Sequence, residues 1–190
     1  MGPGHESVCV AKRESFAIGR NIATTPGAVV FRNELLELIQ YVPTAARVFE
    51  RPLLFVPPQI NKYYGLDLSP HNSIVRYALD SGLQTFCVSW RNPTPAQADC
   101  GIDRYATAVK EAVAAVRSIC RCPDINLAAF CAGAMTSSAL AGHLQAIGDR
   151  SIHSMTIAVC ILEVRLDDPA LVPAAEAFDA ISNQADRKSV

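Results

Sequence analysis

Apolar residues in this chain come in short unbroken runs, and the runs recur at nearly even spacing. Leu53-Leu-Phe-Val56, Thr85-Phe-Cys-Val-Ser-Trp90, Ile125-Asn-Leu-Ala-Ala-Phe130 and Met155 to Leu162 each have the length of a strand. Continuous apolar character, without alternation, marks strands buried on both faces. Between them the period lengthens to that of a helix. Ile102, Tyr105, Ala106, Val109, Val113, Val116 and Ile119 hold one apolar stripe, which predicts a helix over roughly 102–121, stopped by Pro123. Ser69 reads as a helix N-cap with Pro70 at the first helical position. That helix presents Ile74, Val75, Ala78 and Leu79 and closes at Gly82. Residues 134–147, ended by Gly148, predict another helix, and Gly142 is placed to let it lie near a sheet. Nearer the N-terminus, Ala28 to Phe31 is a short apolar run. Asn33 to Tyr41, with Leu35, Leu36, Leu38 and Ile39 apolar and Pro43 soon after, reads as a short amphipathic helix.

Strands alternating with helices at this spacing predict an α/β fold, a parallel sheet covered by helices on both faces. Residues 15–165 form the expected domain. Residues 1–14 are polar and aperiodic and read as a loose end. Residues 166–190 are alanine-rich and acidic at first, then polar, and read as an irregular or helical tail.

Composition narrows the function classes. A length of 190 residues suits one domain with a sizeable core, and 50% hydrophobic content is high for such a domain. The net charge of −1, with 17 basic against 18 acidic residues and no basic cluster, argues against a nucleic-acid partner. No apolar run approaches the ~20 residues that span a bilayer. The N-terminal Met-Gly-Pro-Gly-His-Glu-Ser has no apolar signal core and no Ser or Thr at position 6 for myristoylation. Seven cysteines, an odd number without a secretory signal, predict free thiols in a reducing cytoplasm. Cys120-Arg-Cys122 is the one close pair, but it is not C-x-x-C and no second pair follows, so no metal site is predicted. Cys120 is expected on a buried helix face and Cys122 in the loop after it. The stretch from Gly19 to Gly27 lacks the Gly-Lys-Ser/Thr of a phosphate loop.

The chemistry concentrates at Ala129-Phe130-Cys131-Ala132-Gly133. A buried strand, a sharp turn, a nucleophilic residue and an alanine-rich helix make the layout of a nucleophile elbow, usually G-x-S-x-G. Small residues two positions either side of the nucleophile are needed because the bend is strained and the helix runs back over the strand. Ala129 and Gly133 meet that need. The pentapeptide is a loose pattern, and a cysteine ending a buried strand is more often an inert small hydrophobe than a nucleophile.

Longer segments add to this. Gly19-Arg-Asn-Ile-Ala-Thr-Thr-Pro-Gly-Ala-Val-Val-Phe-Arg-Asn-Glu34, Arg51-Pro-Leu-Leu-Phe-Val-Pro-Pro-Gln-Ile-Asn-Lys-Tyr-Tyr64 with Leu66-Asp-Leu-Ser-Pro70, Val88-Ser-Trp-Arg-Asn-Pro93 and Ile125 to Gly133 occur in that order. Together they resemble the polyhydroxyalkanoate synthases, class I in type, over about residues 15–165. The resemblance implies an α/β-hydrolase-like fold and a cysteine nucleophile in a G-x-C-x-G-G box. It implies polymerisation of (R)-3-hydroxyacyl-CoA with release of CoA, which makes Cys131 the nucleophile. No cofactor is expected, the CoA thioester being a substrate. The implied partners are that thioester, a polyester granule, and a second copy or a full-length synthase. A thiolate accepting an acyl group from a thioester forms another thioester, so the group stays activated for transfer to a chain hydroxyl. The oxyanion is expected at the backbone N–H of Ala132 and a second N–H in Pro58 to Asn61. Pro58 has none, which leaves Gln59 or Ile60.

This chain departs from the family in places. Gln59 stands where tryptophan is usual, and Ala129 and Ala134 replace glycines of the box. In hydrolase order the acid and then the histidine follow the nucleophile, each after a later strand. In the family they lie more than 100 residues beyond the cysteine, and here only 59 residues follow Cys131. His143, His153, His71 and His5 are poorly placed as bases, and Asp167 and Asp168 have no histidine to orient. The expectation is a partial synthase domain, cut before the strands that carry acid and histidine, with little or no polymerase activity by itself. Two other readings stay open. One is a thioesterase or acyl hydrolase of the same fold, and the other a non-catalytic binder of granules or of a full-length synthase.

Overall fold

The computed structural model describes residues 16–160. Eight strands and three α-helices follow one another along them. They are β1 (Gly27–Arg32), β2 (Leu36–Tyr41), β3 (Leu53–Val56), β4 (Asp67–Ser69), β5 (Asn72–Ser73), α1 (Ile74–Asp80), β6 (Thr85–Trp90), α2 (Ile102–Cys120), β7 (Ile125–Phe130), α3 (Ala132–Ala146) and β8 (Ile152–Ala158). Six strands form one sheet in the order β1-β2-β6-β3-β7-β8, and β4 with β5 makes a separate small hairpin. β6, β3, β7 and β8 run parallel, while β1 and β2 are antiparallel. The α/β expectation holds, with an antiparallel edge that the apolar runs did not announce.

The unbroken runs are apolar because the sheet is covered on both sides. Leu54, Val56, Phe86, Val88, Leu127 and Ala129 pack with α2 and α3 on one face. Phe55, Cys87 and Ala128, which alternate with them, pack with Val75, Ala78 and Leu79 of α1 on the other. The connection from β3 through α1 runs to β6 on one side, whereas that from β7 through α3 runs to β8 on the opposite side. β3 and β7 are hydrogen-bonded neighbours whose connections leave in opposite directions. Such a reversal opens a crevice at the carboxyl ends of the two strands, where open α/β sheets place their ligands.

Several expectations are corrected. Asn33 to Tyr41 is not a helix: Asn33 Oδ1 accepts from the N–H groups of Leu35 (3.0 Å) and Leu36 (2.9 Å), closing a turn between β1 and β2. Leu36, Leu38, Ile39 and Tyr41 are all buried, because β2 lies between β1 and β6 with both faces covered. The cap of α1 is Ser73, not Ser69. Its Oγ accepts from Arg76 N–H at 2.9 Å, while Pro70 and His71 turn the β4–β5 hairpin. α3 starts at Ala132, and the last strand starts at Ile152 rather than Met155. A side chain at Gly142 would meet nothing within 4 Å, so that glycine faces open space and brings no helix to the sheet. The segments 1–14 and 166–190, the end of the last strand at Leu162, and His5, Asp167 and Asp168 lie outside the described residues. Among the described residues no helix is long and apolar enough to cross a membrane.

Candidate functional site

Cys131 occupies the junction between β7 and α3 as the N-cap of the helix, with φ 49° and ψ −123°. A non-glycine residue at positive φ is uncommon, and strain of this kind persists only where the surroundings hold it. Here they do. The Cys131 N–H donates to Ala158 O at the end of β8 (3.1 Å), and its carbonyl accepts from Ala134 (2.9 Å) and Met135 (3.2 Å) N–H. The residue itself is exposed. The N–H of Ala132, in the first turn of α3, has no partner inside the helix and carries the positive end of the helix dipole.

Close approach defines the rest. A Cβ added at Gly133 would lie 2.4 Å from Pro57 O and 2.5 Å from Val56 O, so α3 touches the backbone that leaves β3. On the strand side Ala129 is buried, and on the helix side so is Ala134. The loop after β3 is held from two directions. The buried Trp90 indole N–H donates to Pro57 O at 2.7 Å, and Gln59 Nε2 donates to Thr136 Oγ1 of α3 at 2.7 Å. Thr136 in turn donates to Ala132 O at 3.1 Å. Asn61 N–H closes a turn onto Pro58 O at 3.1 Å, with Gln59 half-buried and Ile60 84% exposed at its tip. Of the sequence-predicted residues, Cys131 and Ala132 adjoin at the start of α3, Gln59 is tied to that helix through Thr136, and Ile60 follows Gln59 in the turn. Trp90 and Thr136 were not singled out from sequence. Nothing local in the sequence marks Thr136, since its contact with Gln59 spans 77 positions.

Three of the other thiols are displaced by burial. Burial pushes the fully buried Cys87 thiol far up, Cys120 up to about 11, and Cys122 up in the same direction. None of these is poised as a thiolate near neutral pH. The described histidines lie elsewhere. His143 is in the last turn of α3, twelve residues past Cys131, roughly 18 Å along the axis at 1.5 Å per residue. His153 is near the start of β8 at the amino end of the sheet, with Nδ1 3.9 Å from Asp124, which also receives Arg51 Nε. His71 is exposed in the β4–β5 turn. Among the described residues no group of three or more His, Cys, Asp and Glu side chains gathers to hold a metal.

Residues 2–78 match the family model described as the poly-beta-hydroxybutyrate polymerase (PhaC) N-terminus. The chain is 52% identical over 163 residues to poly(3-hydroxyalkanoate) polymerase 2 of Ectopseudomonas oleovorans, covering 85% of this chain and 29% of that protein. It is 48% identical over 155 residues to polymerase 1 of the same organism, covering 82% and 28%. Against the poly(3-hydroxyalkanoate) polymerase subunit of Cupriavidus necator it is 43% identical over 150 residues, covering 78% and 26%. The chain thus spans under a third of the length of the curated relatives it matches. Among solved structures it resembles the carboxylesterase EstE1 from a metagenomic library (TM-score 0.53, 14% identity, 80% of this chain and 54% of that one). It also resembles the epoxide hydrolase VrEH1 of Vigna radiata (TM-score 0.55, 13% identity, 81% and 46%). At such identities the likeness is one of fold, the α/β-hydrolase fold, and the order of the six strands fits it.

Proposed function

From the similarity of the chain to the poly(3-hydroxyalkanoate) polymerases, we propose that it carries the nucleophile of an acyltransferase that builds polyester from (R)-3-hydroxyacyl-CoA. The observation that carries this reading is Cys131, exposed on a positive-φ bend at the N-terminus of α3, at the carboxyl end of β7. The Cys131 thiolate attacks the thioester carbonyl carbon, and the carbonyl oxygen becomes an oxyanion. The N–H groups of Ala132 and of Gln59 or Ile60 receive that charge. Collapse expels CoA as a thiolate, which takes up a proton, and leaves an acyl thioester on Cys131. A hydroxyl at the end of the growing chain then attacks that carbon, loses its proton to a base, and frees the Cys131 thiol. The surface of a polyester granule is the proposed place of action.

No described histidine is placed to act as that base, which supports slow turnover by the 190-residue chain alone. Loss of the base from a triad can cost on the order of 10⁶ in rate. The test is incubation of the purified chain with 3-hydroxybutyryl-CoA, following acyl-enzyme by intact mass and CoA by chromatography. Expected are a Cys131-linked acyl group, absent from Cys131→Ala, and little polymer. A chain acylated equally well after Cys131→Ala refutes the reading. Hydrolysis to free hydroxy acid as the main product would instead favour the hydrolase alternative.

A further inference from the structure

The side chain of Gln59 does something that the proposed roles of its backbone do not explain. Its Nε2 donates to Thr136 Oγ1 at 2.7 Å, and Thr136 Oγ1 donates to Ala132 O at 3.1 Å. Thr136 is 3% exposed, and both bonds of the link are part-buried. Gln59 Oε1 is buried and has no hydrogen-bond partner. Exchanging the amide oxygen and nitrogen does not repair this: Thr136 would then serve Oε1, and the nitrogen would be the atom left alone. A buried polar atom without a partner costs stability, and one retained in a native fold calls for an explanation.

The positions joined suggest one. Gln59 sits in the turn after β3, and Thr136 and Ala132 lie in the first turns of α3. These are the two segments whose N–H groups are proposed above to receive the oxyanion. Gly133 already brings them into backbone contact, but on Val56 and Pro57, short of the turn itself. Trp90 likewise holds Pro57 and not the residues beyond it. Among the described residues the only hydrogen bond from the Gln59–Ile60 tip to α3 is the Gln59–Thr136 one. We infer that the Gln59 and Thr136 side chains form a positioning clip that fixes the separation of the two oxyanion donors, at some expense of stability. This rests on the reading of Cys131 as the acylated nucleophile.

Two reactions of Cys131 separate the clip from everything else. Acylation by 3-hydroxybutyryl-CoA passes through an oxyanion, whereas alkylation by iodoacetamide does not. Both require the thiolate, so the ratio of their rates, mapped to the Cys131 peptide by mass spectrometry, is independent of how the proton is removed. Gln59→Met and Thr136→Val, which keep shape and remove the link, are each expected to lower this ratio on the order of tenfold, since small displacements of positioned groups are expensive. The double variant falls no further than either single one, and Thr136→Ser keeps the parental ratio. The melting temperature of Gln59→Met stays level or rises, because the orphaned oxygen is gone. An unchanged ratio in Gln59→Met overturns the clip. So does additive loss in the double variant, or a ratio that falls only in step with melting temperature. If the unaltered chain is alkylated but never acylated at Cys131, the acyltransfer reading fails and takes the clip with it. Acylation that proceeds but ignores Gln59 defeats the clip alone.

Discussion

One missing carbon decides how near α3 comes to β3. At Gly133 a methyl group would sit 2.4 Å from Pro57 O and 2.5 Å from Val56 O, and both oxygens belong to backbone that cannot swing aside. Gly133→Ala is therefore expected to destabilise the fold by about 3 kcal/mol, the upper end of ordinary overpacking. Chemical denaturation followed by circular dichroism measures it. Gly142→Ala, where a Cβ meets open space in the middle of a helix, is expected to stabilise by about 0.5–1 kcal/mol instead. The sequence ranked these two glycines correctly for the bend and wrongly for the helix. The elbow pattern states a steric requirement at a fixed offset from Cys131, while nothing local tells which side of α3 Gly142 is on. The Gln59–Thr136 pair was illegible for a related reason, because a contact across 77 positions leaves no periodic trace.

Elements show the same division between what is local and what is not. The central strands could be read from composition alone, since a strand covered on both faces is apolar throughout. β2 misled for that very reason. With Leu35, Leu36, Leu38 and Ile39 apolar, the segment satisfies helical spacing, and full burial removes the alternation that would identify a strand. Only the Asn33 side chain, folded back onto two N–H groups, decides for a hairpin. At α1 two serines compete as caps, and the proline after Ser69 favours the wrong one. Ser73→Ala is expected to cost about 1 kcal/mol in thermal or urea melts, the usual worth of an N-cap. Ser69→Ala, whose Oγ serves only Asn72 N–H at 3.2 Å in an exposed turn, is expected to cost less.

Across the whole molecule the two rims of the sheet are chemically distinct. The carboxyl rim holds the bend and the loop after β3. At the amino rim Asp124 lies between Arg51 and His153. The hydrogen bond from Arg51, outweighing burial, holds the Asp124 carboxyl below its ordinary value of 3.8. Because the folded-state value is the lower one, the stabilising contribution is complete above about pH 4–5 and disappears as pH falls through the depressed value. The stability difference between the unaltered chain and Asp124→Asn should thus be present at pH 7 and shrink steadily below pH 4, as urea titrations at a series of pH values would reveal. A gap that does not narrow between pH 4 and pH 2 counts against the assignment.

The amide of Cys131 is spoken for by Ala158 O, the last residue of a strand that sits, among the described residues, at the outer margin of the sheet. Whatever loosens that margin also slackens the knuckle on which the sulfur rides, well before the interior is disturbed. Deuterium uptake at the 131 amide should accordingly keep pace with the terminal residues of β8 and outrun that of Leu127 and Phe55.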